Sequence, residues 1–442
     1  MRDIIVALAI GLVAAAALFR PDIGILGWTW VGIMNPHRLG WGFARELPVA
    51  MMIGVATLVG LLFYRGVKRF PVCAPVLALL AFDLWMVVTH FFGMYPELAE
   101  VFAVRILKIQ VMVFVAIFIL VNRQHIDALV WVLVGSLAYY GTKGGLFTIL
   151  TGGSFRVWGP EGSFIEGNNE LALSLIMVIP LMRYLQLTYG NKRIKRGMVA
   201  CMLLCAASAL GSQSRGALLA ISAMALLLWW RGKGKLLGGV LIVVTAVALI
   251  SFMPSEWENR MNTIQTYDQD ASAMQRIDAW TMTWNLAKDH PIIGGGYAIY
   301  TMENFIKYSL YFGTMGTRNA HSIYFSVMGE HGFVGLGLFL LIWLTTWRSA
   351  SWIRKHSGPD GEYAWAYWLA SMTQVSIIGY LTGGAFLYLA YFDLPYNLLI
   401  LVAITQDWLK RELVSHEHQR SQASCLPSKE GHLQENPVDQ KT

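Results

Sequence analysis

Apolar windows of about 16 to 24 residues recur along most of the chain, each long enough to cross a hydrocarbon layer of about 30 Å as a helix. Nothing else constrains the fold as strongly. A bilayer core offers no water to backbone N–H and C=O groups, so a spanning segment is either a helix or a strand of a closed barrel. Barrel strands would alternate over about 10 residues, whereas these runs are continuous, so helices are expected. Composition agrees: 56% of the 442 residues are hydrophobic and only 14% are charged, outside the range of an ordinary soluble domain. The chain reads as an all-α, polytopic membrane protein.

The expected spans are 3–19, 22–36, 48–64, 71–93, 106–121, 126–141, 170–188, 197–213, 216–230, 236–253, 322–347, 363–383 and 388–406. The first two are short and form either a tight hairpin around Arg20-Pro21-Asp22 or one broken crossing, so about 12 transmembrane helices are expected. The opening MRDIIVALAIGLVAAAA also has the pattern of a signal peptide. It reads as a retained span, because the hydrophobic pattern resumes at once from Trp28 to Pro36. Residues 1–411 then form one membrane domain, and the polar, Pro-containing stretch 412–442 reads as a disordered cytoplasmic tail.

Cations set the orientation. Arg65, Lys68 and Arg69, then Lys192, Arg193, Lys195 and Arg196, then Arg231, Lys233 and Lys235, and finally Arg348, Arg354 and Lys355 fall in short connections, which are cytoplasmic by the positive-inside rule. Segments 142–169, 212–215 and 254–321 therefore face the other side, and the last carries five Lys/Arg against seven Asp/Glu. Topology accounts for the net charge of +7, so no nucleic-acid partner follows from it. The four cysteines, Cys73, Cys201, Cys205 and Cys425, show no metal spacing and no disulfide framework.

Chemistry-bearing residues gather on the outer side. In SQSRGALLA, Arg215 stands at the junction of two spans among Ser212, Ser214 and Gly216. Two readings are open: an arginine snorkelling at a helix end, or an anion site built from its charge and a helix start. In ASAMQRIDAWTMTWNLAKDHP, Met274, Ile277, Trp280, Trp284 and Ala287 follow helical spacing, while Gln275, Arg276, Asp278, Thr283, Asn285 and Lys288 take the other positions. This is the pattern of an amphipathic helix on the membrane surface, with Arg276 facing lipid headgroups or clamping a phosphate. The three glycines of PIIGGGY (291–297) make a permissive turn but not a nucleotide loop.

His321 stands at the outer start of a span, with an ordinary pKa near 6.5 that lets it take a proton near neutral pH. Glu330 follows nine residues later, about 13 Å along a helix and on its opposite face, so it pairs with a neighbouring helix rather than with His321. Gly329, Gly332, Gly335 and Gly337 give that span a small-residue surface for close packing. The outer stretch TGGSFRVWGPEGSFIEGNNE adds Arg156, Glu161, Glu166, Asn168, Asn169 and Glu170, either as a loop or as groups that orient an acceptor. The acidic run Asp268 to Asp270 is either a solvated loop or a metal-binding pair. A transporter would instead place ionisable groups at mid-membrane; Asp83, His90 and Glu330 are the candidates, and they form no repeat.

The order of these motifs resembles the O-antigen ligase and polymerase superfamily of bacterial envelope assembly: SQSRGALL, then a long outer loop with Arg276-x-x-x-Trp280 and H-P-I-I-G-G-G, then H-S-I-Y-x5-E-H-G-F-V-G-L from His321. The similarity spans 155–345 and includes FIEGNNELALSLIMVIPL, with Asn169 at the usual asparagine. Ser322 departs from the asparagine frequent after that histidine in relatives. The N-terminal MNPHRLGWGFA (34–44) is similar to exosortase-associated O-glycosylation ligases. The resemblance implies a GT-C-like glycosyltransferase in the inner membrane of a Gram-negative bacterium, with its site on the periplasmic face. It implies inverting transfer, without metal or cofactor, of a glycan from undecaprenyl diphosphate to a sugar hydroxyl of the lipid A core. Arg215 and Arg276 would hold the diphosphate, with Arg156 a further candidate, and His321 would be the base. A polymerase, or a ligase for protein or exopolysaccharide, would differ in acceptor.

Overall fold

The computed structural model describes residues 1–232 and 271–425, together with 235–236, 239–240, 243–244 and 247. Among the described residues the regular elements are all helical: α1 Arg2–Phe19, α2 Pro21–Met34, α3 Val49–Phe63, α4 Ala74–Phe91, α5 Pro96–Ile119, α6 Arg123–Leu150, α7 Asn168–Thr188, α8 Lys192–Gly211, α9 Arg215–Arg231, α10 Ala271–Asp289, α11 Met302–Tyr308, α12 Ile323–Ser357, α13 Ala364–Gly383 and α14 Asp393–Cys425. Six of them (α1, α4, α5, α7, α8 and α12) are long and apolar enough to cross a membrane. Most of the expected span 236–253, the Asp268–Asp270 run and the tail beyond Cys425 lie outside the described residues.

Helix boundaries depart from the apolar windows where a helix carries polar turns past its hydrophobic part. Thus α5 begins at Pro96, with Glu97 in its first turn, and α6 continues to Leu150. Helix α14 runs on through 412–425. At the N-terminus the hairpin forms. Gly27 of α2 stands against Val13 of α1, and Gly24 against Ala17, an antiparallel register. Arg20 closes the turn on Asp22 through Nε–Oδ1 at 3.0 Å and Nη2–Oδ2 at 2.7 Å.

The cation-bearing connections gather at one end of the bundle. Arg69 pairs with Asp407 at 3.0 Å, Arg123 lies over the Trp365 ring and Arg231 over that of Trp347. The α8–α9 turn, the start of α7, α10 and the start of α12 lie at the other end. Between the ends, close packing uses small residues, as lipid-embedded helices require. Gly141, Gly144 and Gly145 of α6 face Cys205, Ser208 and Leu204 of α8, where a Cβ would collide.

Helix α12 is broken. Gly332 has φ 70° and ψ −174°, a non-helical, positive-φ conformation that favours glycine. The freed backbone groups are taken over by neighbours: Gly295 N–H donates to the Gly329 carbonyl (2.9 Å), Gly296 N–H to that of Glu330 (2.9 Å), and Trp85 Nε1–H to that of His331 (2.9 Å). Phe333 N–H donates to the Pro291 carbonyl at 2.9 Å. Each such group left bare in a membrane would cost several kcal/mol, so the glycine turn 294–296 is a structural partner of the break. Gly332 abuts the Ile292 backbone and Gly329 abuts Thr283 and Ile299, while Gly335 faces Trp85 and its own His331; Gly337 faces open space, so the expected small-residue surface is narrower by one.

Candidate functional site

The α8–α9 turn is built from buried polar residues. Gln213, with φ 55°, reverses the chain in the left-handed region, which suits a tight link between antiparallel helices. Its side chain accepts Arg156 Nε–H at 3.2 Å and donates to the Gly153 carbonyl at 3.4 Å. Asn168 Nδ2 donates to the Ser212 carbonyl at 2.6 Å, and the Ser214 hydroxyl caps α9 by accepting Ala217 N–H at 3.2 Å. Arg215 is thereby held as the first residue of α9, at the positive end of the helix.

Arg276 reaches the same place from α10. It lines, with Arg215, Asn169, Ser214 and Phe386, a small cavity of about 30 Å³. An apolar cleft of about 580 Å³ bounded by Leu218, Leu219, Ile277 and Trp280 opens from the same two arginines. Helix α10 is more deeply docked than a surface helix. Asp278, Ala279, Met282, Thr283 and Leu286 are buried, Trp284 is exposed, and the helix packs on α12. The expected polar face is thus partly interior. Asp278 Oδ1 accepts the N–H groups of Leu310 (2.9 Å) and Tyr311 (3.2 Å), and Asn285 Nδ2 donates to the Tyr308 carbonyl (2.9 Å). A hydrophobic pattern cannot distinguish a side chain facing water from one satisfying a loop backbone.

Trp280, one turn from Arg276, positions the segment that ends in His321. Its Nε1–H donates to the Ala320 carbonyl at 2.6 Å, and its ring stacks on Phe325 at 5.1 Å with an interplanar angle of 6°. His321 has φ 44°, a left-handed conformation that costs about 1–3 kcal/mol outside glycine and persists where the surroundings over-determine it. Ser322 then caps α12. Burial, followed by the positive charges of Arg276 and Arg318, pushes the His321 pKa down to about 4. At neutral pH the imidazole is therefore uncharged, the form that can accept a proton. Glu170, in the first turn of α7, lies close enough to Arg276 to feel its charge.

The remaining candidates are dispersed. Arg156 is tied to the turn through Gln213 and stands beside the cavity rather than among the lining residues given above. Glu161 is exposed and paired with Arg45. Glu166 Oε2 accepts Gly162 N–H at 2.8 Å within its own loop. Asn169 faces the cavity. Glu330 is fully buried at the break in α12, accepting the hydroxyls of Tyr388 (2.7 Å) and Tyr391, which lie in the connection between α13 and α14. Asp83 and His90 line a separate cleft of about 440 Å³ between α4 and α5.

Sequence reasoning passed over His331 and the three tyrosines Tyr300, Tyr388 and Tyr391. His331 Nε2 lies 2.7 Å from the Tyr391 hydroxyl and Nδ1 lies 2.6 Å from Thr89 Oγ1. The E-H-G signal was visible, but its partners lie about 60 and 240 residues away in the chain, beyond any local pattern.

Residues 200–340 match a family model described as O-Antigen ligase. Residues 1–190 match a family of unknown function, DUF5935. No curated protein matches the chain. The first match holds Arg215, Arg276, His321 and Glu330; the second holds Arg156, Glu161, Glu166 and Asn169.

Proposed function

We propose that this chain, whose residues 200–340 match the O-Antigen ligase family model, joins an O-polysaccharide, carried on undecaprenyl diphosphate, to a sugar hydroxyl of the lipid A core. One observation carries the reading: Arg215 and Arg276, from separate segments of the chain, line one cavity, and His321 is held beside Arg276 as a neutral imidazole.

The reaction follows from these parts. The acceptor oxygen attacks the anomeric carbon, the bond from that carbon to the phosphate oxygen breaks, and undecaprenyl diphosphate leaves with the electron pair. The acceptor proton passes to His321. In-line attack inverts the anomeric centre, and no covalent enzyme intermediate is needed. Two guanidiniums take the growing charge of the leaving group by bidentate hydrogen bonds, without a metal in this reading. The apolar cleft beside the arginines supports a polyprenyl tail entering from the bilayer. In the membrane the shorter helices join the six long ones to give about 12 crossings. The cation-rich end faces the cytoplasm and the His321 end the periplasm.

Transfer of a lipid-linked glycan by the purified protein in EDTA tests the reading, with lipid A core and a second lipid-linked glycan offered as separate acceptors. Wild type should modify lipid A core, and folded His321→Ala, Arg215→Ala and Arg276→Ala variants should not. Growth only on the lipid-linked acceptor would make the protein a polymerase, and transfer to neither would direct the search to protein or exopolysaccharide. Full activity in His321→Ala would remove the histidine from the chemistry and move the search for a base to Glu161, Glu166 and Glu170.

A further inference from the structure

A second cavity lies at the other end of the short segment that leads into His321. It is an open cleft of about 320 Å³, lined by Phe102, Tyr297, Tyr300, Thr301, Asn319 and Tyr388, at the lower end of the roughly 300–1,000 Å³ usual for small-ligand sites. Asn319 is two residues from His321, and the carbonyl between them is the one Trp280 holds. The segment 319–321 therefore has one end on this cavity and the other beside Arg276. We propose that this cavity binds the sugar residues of the acceptor, resting on the transferase reading above.

Its chemistry suits a neutral carbohydrate. Aromatic faces pack against the C–H face of a pyranose, and hydroxyl and amide groups meet its hydroxyls. Lining cations, which mark the Arg215–Arg276 cavity, are missing from the residues given for this one. The rings are mutually fixed: Tyr388 lies 6.0 Å from Tyr300 at 89° and 6.1 Å from Phe102 at 22°, and Phe102 meets Tyr297 edge-on at 5.6 Å. Such pairs add about 0.5–1.5 kcal/mol each, so the wall is in place before a ligand arrives.

Glu330 has a role in this arrangement. It is fully buried, and Tyr388 donates its hydroxyl proton to Oε1 at 2.7 Å. That bond turns the phenol so that its oxygen has only acceptor capacity left for a sugar hydroxyl. Glu330 is a positioning residue, acting through Tyr388 on a substrate it does not touch. The break at Gly332 belongs to the same construction, since Gly296, whose N–H holds the Glu330 carbonyl, adjoins Tyr297 in the cavity wall.

Initial rates measured separately against acceptor and donor decide the matter. Tyr388→Ala should raise the acceptor KM on the order of tenfold and leave the donor KM unchanged, with Tyr388→Phe and Glu330→Gln giving smaller rises in the same constant. Both lipid A core and a lipid-linked glycan are offered, and the rise should appear with whichever one wild type uses. Equal changes in the two KM values, or a fall in kcat alone, would overturn the proposal while leaving the transferase reading intact. Should wild type transfer nothing, the ligase reading fails by itself. Quenching of intrinsic fluorescence by delipidated core oligosaccharide, present in wild type and lost in Tyr388→Ala, then supports the cavity as a sugar site, and its absence in wild type overturns it.

Discussion

The two cavities that flank the His321 segment are built from different chemistry on different supports. The first takes its arginines from a helix start and a docked helix, and it opens into an apolar cleft between α9 and α10. The second is walled by aromatic rings from α5, the 297–301 loop and the α13–α14 connection. Its neighbouring cleft shares Tyr297 and is rimmed by Asp83, Glu97 and Glu100. Both clefts are apolar, so hydrophobicity does not sort their occupants. Charge does: two guanidiniums favour a diphosphate at one, and carboxylates disfavour it at the other.

Substitutions should divide along that line. The largest effect belongs to the group between the cavities: His321→Ala should lower kcat by about 10²–10⁴, the usual contribution of a general base. Arg215→Ala and Arg276→Ala should each cost about 10²–10³ in kcat/KM for the donor. Arg276→Lys should recover only part of that loss, because an ammonium lacks the planar fork. Acceptor KM should not move in either arginine variant, and a parallel rise there would merge the two cavities into one site.

Next in size comes the shared scaffold. Gly332→Ala places a Cβ against the Ile292 backbone at φ 70°. The strain and the lost pairing with 291–296 should destabilise the protein by about 3 kcal/mol or more, read as a lower Tm in detergent. Gly337→Ala, which meets nothing within 4 Å, is the control and should not lower Tm, since alanine favours the helix over glycine. A smaller effect is expected for Trp280→Phe, which keeps the stack on Phe325 but loses the bond to the Ala320 carbonyl. That bond contributes about 0.5–1.5 kcal/mol, so transfer should slow by up to about tenfold with Tm little changed.

Much of the first cavity was legible in the sequence, and little of the second. Arg215 and Arg276 stood out because a cation in an outer segment is rare in such a chain, and His321 because it sits where a helix begins. Their convergence was not legible, since it depends on how α9 and α10 meet. The aromatic cavity gave no signal because tyrosines next to apolar runs look like interfacial anchors. Only the broken α12 and its long-range partners bring Tyr300 and Tyr388 together. The glycine turn was visible, but its partners are backbone carbonyls, and no residue pattern marks a carbonyl. The apolar windows found the helices and missed their polar ends, as α5 and α6 illustrate.

The most delicate test of the comparison is electrostatic. Burial and the charges of Arg276 and Arg318 hold the His321 pKa down at about 4. A neutral sugar entering the aromatic cavity leaves that balance alone, whereas a diphosphate entering between Arg215 and Arg276 brings negative charge that favours the imidazolium. The pKa should therefore rise when the donor binds and stay put when the acceptor binds. In pH–rate profiles the acid limb of kcat/KM for the donor, which reports the free protein, should lie near 4. The acid limb of kcat/KM for the acceptor, measured on donor-saturated protein, should lie higher, toward the ordinary histidine value near 6.5. Arg276→Ala should narrow the gap, since one of the charges that the donor offsets is gone, while burial, the larger cause, persists. Acid limbs that coincide in wild type would mean that the donor charge sits too far from His321 for the histidine to serve the bond being broken.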